Sequence, residues 1–157
     1  MSIRSLQKKD AQEIHNIVTA TKVFSKEEID IADELVEIVL TQPSQKDYEI
    51  FVYVDEKDIA KGYICIGPTP ATQGTYDLYW IATEPSLHNK GIGTQLLEYV
   101  ENYLRKKNGR LLIAETSSTS PYEMTRMFYT KKGFQCLACI EGYYKPNDAL
   151  LIYGKYL

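Results

Sequence analysis

Apolar residues recur along this chain with two different periods, and the switches between them divide it into elements. Ile3 to Leu6 reads as a short strand, and after Lys9-Asp10 the positions Ala11, Ile14, Ile17 and Val18 keep a helical period. Ser25 with Glu28 three residues on has the form of a capping box, predicting a second helix to about Leu40. Tyr48 to Val54 alternates with Ile50, Val52 and Val54 on one side; Asp55 to Asp58 turns, and Ile59 to Ile66 returns as the hairpin partner. Gly67-Pro68-Thr69-Pro70 stops that strand, and Tyr76 to Ala82 predicts another. From Gly91 a helical stripe of Ile92, Leu96, Leu97, Val100 and Leu104 runs to the Asn108-Gly109 break. Leu111 to Ala114 is apolar on both faces, as a strand covered on both sides is. A helix from about Tyr122 to Lys132, then strands at Phe134 to Ile140 and Ala149 to Tyr153, complete the set. The order predicts one α/β (α+β) domain over residues 1–157, with a central mixed sheet of six to seven strands flanked by about four helices.

With 157 residues and 44% hydrophobic content, the chain can fill one sizeable core. The net charge of −3 argues against general nucleic-acid binding, which needs a basic surface. No apolar run approaches the roughly 20 residues needed to span a bilayer, and Met1 to Ser5 lacks an apolar leader, so a cytoplasmic protein is expected. Cys65, Cys136 and Cys139 make an odd count. Cys136 and Cys139 have the spacing of a metal or redox pair, but residues three apart on a regular strand face opposite ways. Buried thiols and no metal are therefore expected.

Candidate chemistry concentrates in Pro85-Ser86-Leu87-His88-Asn89-Lys90-Gly91-Ile92-Gly93-Thr94, between a strand and a helix. Glycines let the chain turn without Cβ clashes, and the first helical turn leaves amides without carbonyl partners. A phosphate or pyrophosphate suits such a place. A Walker loop is absent, since no Gly is followed five residues later by Gly-Lys-Ser or Gly-Lys-Thr. A dinucleotide fingerprint lacks its third small residue, because Leu96 stands there; Glu115, about 20 residues on at a strand end, keeps that reading open.

His88-Asn89-Lys90-Gly91-Ile92-Gly93 resembles the coenzyme A loop Gln/Arg-x-x-Gly-x-Gly/Ala of the GNAT superfamily of N-acetyltransferases. Arg126 to Phe134, reading RMFYTKKGF, resembles that family's helix ending in Phe-Tyr-x-x-x-Gly-Phe. Gly142 to Ala149 resembles its closing hairpin, especially in the ribosomal-protein alanine acetyltransferase branch. The three matches fall in the family's order and cover nearly the whole chain. His88 replaces the family's Gln or Arg and Asn89 its common Gly, while Tyr122 stands where close members have Asn.

The resemblance implies direct transfer of an acetyl group from acetyl-CoA to a primary amine, either on a small molecule or at a protein N-terminus. It places the backbone of Ile81, Ala82 and Thr83 along the pantetheine arm. His88, Asn89, Lys90, Gly91, Ile92, Gly93 and Thr94 fall at the pyrophosphate, and Tyr122 on the groove wall. Tyr129 matches the family's general acid and Glu115 aligns with its base. Acceptor segments are expected about Val23 to Leu40, Pro68 to Thr75 and Tyr143 to Asp148. Pairing through edge strands into a homodimer is a family-level expectation. A coenzyme A-binding module without turnover is the alternative.

Overall fold

The computed structural model describes residues 1–157 throughout. Strands are β1 (Ser2–Ser5), β2 (Glu49–Val54), β3 (Ala60–Pro68), β4 (Thr75–Thr83), β5 (Leu111–Ser117), β6 (Gln135–Lys145) and β7 (Asp148–Tyr156). Helices are α1 (Ala11–Ala20), α2 (Lys26–Thr41), α3 (Ile92–Lys106) and α4 (Glu123–Lys131). Short 3-10 turns occupy Lys8–Asp10, Pro85–Leu87 and Ser120–Tyr122. Tyr122, expected to open a helix, closes the last of these turns and stands at the N-cap of α4.

All seven strands form one mixed sheet in the order β1-β2-β3-β4-β5-β7-β6, as the alternation of elements predicts. The α3 stripe buries Ile92, Leu96, Leu97, Val100 and Leu104 on one sheet face, joined there by Tyr129 of α4. On the opposite face α1 and α2 bury Ile14, Val18, Leu35 and Val36 against Val52, Tyr63 and Cys65. Each such side chain contributes about 1.5–3 kcal/mol of burial, so both helix layers are fixed by apolar area. The capping box of α2 forms as read: the Glu28 amide donates to Ser25 Oγ at 3.2 Å, and the Ser25 amide donates to Glu28 Oε2 at 2.7 Å.

Two irregularities position the site. β4 and β5, the one parallel pair, are in register only from Thr75–Leu78 with Leu111–Ala114; beyond these four pairs the strands part. The parting coincides with a bulge in β4, where Trp80 pairs with Cys65 and Leu78 with Ile66, leaving Tyr79 without an opposite. An extra residue increases local twist and swings the remainder of the strand aside.

The second irregularity lies in β6, which runs five residues beyond the predicted Ile140. Ile140 pairs with Leu150 and Lys145 with Asp148, so residues 141–144 bulge opposite Ala149 alone, turning through a left-handed Gly142 (φ 64°). Every β6 residue is exposed, and its outer edge has no partner.

β6 also overturns the expectation for the cysteine pair. Leu137 bulges, so Cys136 pairs with Tyr153 and Cys139 with Leu151, two residues on the same face of β7. Both thiols therefore share a face and are exposed, whereas Cys65 is buried as expected. The regular two-residue alternation assumed from spacing fails at a bulge. No group of three or more metal-ligating side chains is present.

Candidate functional site

Where β4 and β5 part, a cleft of about 550 Å³ opens. Its walls come from the α1–α2 connection (Phe24), the first turn of α2 (Glu28), β4 (Trp80, Ile81), β5 (Glu115, Thr116), the turn before α4 (Tyr122), Tyr129 of α4 and the β6–β7 hairpin (Tyr144, Asp148). Two of the expected acceptor segments thus reach it, near residues 23–28 and 144–148, while residues 68–75 do not.

The sheet pleat distributes chemistry to its two sides. Leu112, Ala114 and Thr116 alternate toward the α3/α4 core, and Glu115 points the other way, exposed and free of any hydrogen bond or ion pair within the chain. Tyr129 lies on the α3/α4 side, its ring buried among Phe128, Phe134 and Tyr153 at centroid distances of 5.9, 5.2 and 5.8 Å. Burial raises the Tyr129 phenol well above its ordinary value, so it remains protonated across the physiological range. No protein group takes its hydroxyl as partner, and the residue lines the cleft. The strand gap therefore lies between a free carboxylate and a protonated phenol.

A hydrogen-bond frame holds these positions. Arg126 donates from one nitrogen to the carbonyls of Ser117 and Thr119, each at 2.8 Å, tying α4 to the end of β5. Ser117 Oγ donates to the buried Asp148 at 2.5 Å, and the Ala149 amide donates to Ser118 Oγ at 2.8 Å, which joins the same segment to the hairpin. Tyr122 is placed in the cleft, with its hydroxyl donating to Glu28 Oε1 at 2.6 Å; burial and that hydrogen bond raise its phenol. Trp80 lies half-buried and packs edge-on against Phe24 at 4.5 Å, forming a cleft wall.

Thr116 was not singled out by sequence reasoning. It is 4% exposed, and its Oγ1 is buried without a hydrogen-bond partner. An unpartnered buried hydroxyl costs about 1–3 kcal/mol; Tyr63, on the opposite sheet face, carries a second one. Glu28 was recognised only as a cap, because its second oxygen meets Tyr122, 94 residues away.

Along β4 from the cleft, the side chain of Ala82 is buried and the Thr83 carbonyl is met by His88 Nε2 at 3.3 Å. Asn89 (φ 64°) and Gly91 (φ 81°) are left-handed, and this double turn aims the start of α3 outward. The first helical hydrogen bond is Gln95 N–H to Gly91 O, so the amides of Ile92, Gly93 and Thr94 have no acceptor in the chain. A Cβ at Gly93 would meet only the Phe128 ring at 3.5 Å, an ordinary contact, so nothing within the fold demands glycine there. The exposed His88, Asn89 and Lys90 border the same donors. With the helix dipole behind them, these groups form a turn of the kind that suits an anion, in line with the open edge of β4.

The model of the acetyltransferase (GNAT) domain matches residues 46–136. Among solved structures, a GNAT-family protein from Desulfovibrio desulfuricans shares 39% identity, with a TM-score of 0.92 over 99% of this chain and 98% of its own. An aminoglycoside 6'-N-acetyltransferase complexed with coenzyme A superimposes with a TM-score of 0.77 at 17% identity, covering 99% of this chain and 97% of its own. The ribosomal-protein-S18-alanine N-acetyltransferase of Escherichia coli does so with 0.76 at 18%, covering 99% and 92%. No curated protein matches the sequence. With the family model spanning more than half of the chain and the Desulfovibrio structure matching end to end, this protein belongs to the GNAT acetyltransferase family.

Proposed function

We propose that the protein transfers an acetyl group from acetyl-CoA to a primary amine, with Glu115 as base and Tyr129 as acid. The observation that carries this reading is the gap between β4 and β5, which has an unpaired carboxylate on one side and a protonated phenol on the other. The residues present fit the cofactor. Free amides at Ile92, Gly93 and Thr94, with Gly91 turning the chain and His88, Asn89 and Lys90 beside them, suit a diphosphate. The unpaired edge of Ile81, Ala82 and Thr83 suits an amide-bearing arm, and Tyr122 walls the groove. The room kept at Gly93 favours an occupant.

Acetyl-CoA supplies an acyl carbon already activated as a thioester. An alkylammonium acceptor must first lose a proton, at a cost of about 4–5 kcal/mol at neutral pH for a pKa near 10.4. Glu115 is suited to take it: both Glu28 oxygens are engaged by the Ser25 amide and Tyr122, and Asp148 is held by Ser117. As the new N–C bond forms and the C–S bond breaks, Tyr129 donates its proton to the departing sulfur, and the acylated nitrogen gives up its extra proton, which restores the phenol. Burial suits this role, since the phenol stays neutral until a stronger base arrives.

The chain has no helix long and apolar enough to cross a membrane. Three free thiols favour a reducing, cytoplasmic setting. The exposed outer edge of β6, with Leu137 and Ile140 on it, favours pairing of two copies along that strand. Sedimentation analysis tests this, with a monomer at micromolar concentration ruling it out.

The activity is tested by thiol release from acetyl-CoA across amines, amino acids and N-terminal peptides, alongside calorimetric binding of coenzyme A. Turnover with a primary amine is expected. Binding without turnover on any acceptor would leave a ligand-sensing module, and binding of NAD in place of coenzyme A would overturn the whole reading.

A further inference from the structure

We propose that the cleft selects an acceptor carrying a second cationic group, held in a clamp that the β6 bulge builds from Tyr144 against Glu28, Tyr122 and Asp148. The proposal rests on the acetyl-transfer reading of the same cleft and names its acceptor class: small amines with at least two ammonium centres.

Three carboxylates, Glu28, Glu115 and Asp148, line this cleft against one cation, Lys145. None takes part in an ion pair. Glu28 and Asp148 accept hydrogen bonds from neutral groups, which leave their charge in place, and Glu115 has no partner, so the cleft carries a net negative field. Thr116, whose Oγ1 is buried and unpartnered, lines the same cleft.

Tyr144 lines the same cleft. The bulge at 141–144 lifts it off the β7 ladder and over the cleft, where it is 49% exposed. Its phenol is raised first by burial, then by the charges of Glu115, Asp148 and Glu28, so all three carboxylates bear on it. Its hydroxyl has no partner in the fold. Phe24 and Tyr122, with centroids 6.4 Å apart, complete an aromatic wall against which a cation is stabilised by ring quadrupoles.

The need for a second charge follows from the reaction. The attacking nitrogen must become neutral, so its attraction to the cleft is spent before the transition state. A second ammonium stays charged throughout and keeps its attraction where catalysis depends on it. A carboxylate beside the reacting amine would instead be repelled, which disfavours free α-amino acids.

The test compares putrescine with n-pentylamine, a chain of the same length and one charge, in thiol release and in calorimetric binding to the coenzyme A complex. A preference for the diamine of at least about tenfold in kcat/KM and in Kd is expected, equal to about 1.4 kcal/mol. Rising salt shrinks that ratio, and Tyr144→Leu brings it toward one. Spermidine and kanamycin serve as linear and ring-bearing arms that identify the source of the polyamine. Equal handling of putrescine and n-pentylamine, or a ratio unmoved by both salt and Tyr144→Leu, overturns the clamp. Selective, Tyr144-dependent binding of putrescine without thiol release leaves the clamp standing and removes the acetyl-transfer reading.

Discussion

Tyr129→Phe separates the chemistry of this phenol from its packing. The ring is 4% exposed and wedged between Phe134 and Tyr153, and phenylalanine keeps all of those contacts. Since the hydroxyl has no protein partner, its loss should shift stability by no more than about 0.5 kcal/mol. Tyr129→Ala, by contrast, should cost about 3–5 kcal/mol through the cavity it leaves, a large share of a typical domain's stability. If Tyr129 protonates the sulfur, Tyr129→Phe should lower kcat by about 10²–10⁴-fold with little change in the KM for acetyl-CoA. Because burial holds the phenol above its ordinary value of 10.0, the wild type stays protonated and the deficit should be constant from about pH 7 to 9. Thiol-release kinetics across that range, with a thermal melt of each variant, decide the matter. A folded Tyr129→Phe whose kcat stays within about threefold of wild type would refute the assignment.

Glu115→Gln should lower kcat/KM by about 10²-fold for an alkylamine but much less for an amine already neutral at the assay pH, which a series of acceptors of falling pKa would display. Gly93→Ala should keep or slightly raise the melting temperature, since its Cβ makes only ordinary contact, while raising the KM for acetyl-CoA. Gly91→Ala should instead cost about 1–2 kcal/mol, because φ there is 81°, and chemical denaturation would register the difference. Burial raises the Tyr63 phenol and pushes the Cys65 thiol up to about 12, so both keep their protons when folded and release them sooner when unfolded. Stability is then fully present below about pH 9 and falls above it; denaturant midpoints should show that decline, and Tyr63→Phe should make it shallower.

The two helix layers and the glycine turn were legible because each is set by local pattern: the α3 stripe, the Ser25–Glu28 box and the left-handed positions at Asn89 and Gly91 all lie within a few residues. The features that shape the acceptor cleft were not. Glu28 meets Tyr122 across 94 residues, and nothing near either announces the pairing. The bulges at Tyr79, Leu137 and residues 141–144 depend on the register with a neighbouring strand, so a strict two-residue alternation missed them. Thr116 reads like any strand threonine until β4 and β5 are seen to separate beside it.

The brief parallel seam has a mechanical consequence. Thr75–Leu78 and Leu111–Ala114 form the single ladder joining the amino-terminal four strands to the carboxy-terminal three. A molecule lying across the opening beyond it bolts those two panels together. Occupancy should therefore slow amide exchange in β3 and β7 alike, the strands paired to the two lips of the opening, rather than only in the turn that grips one end of the ligand.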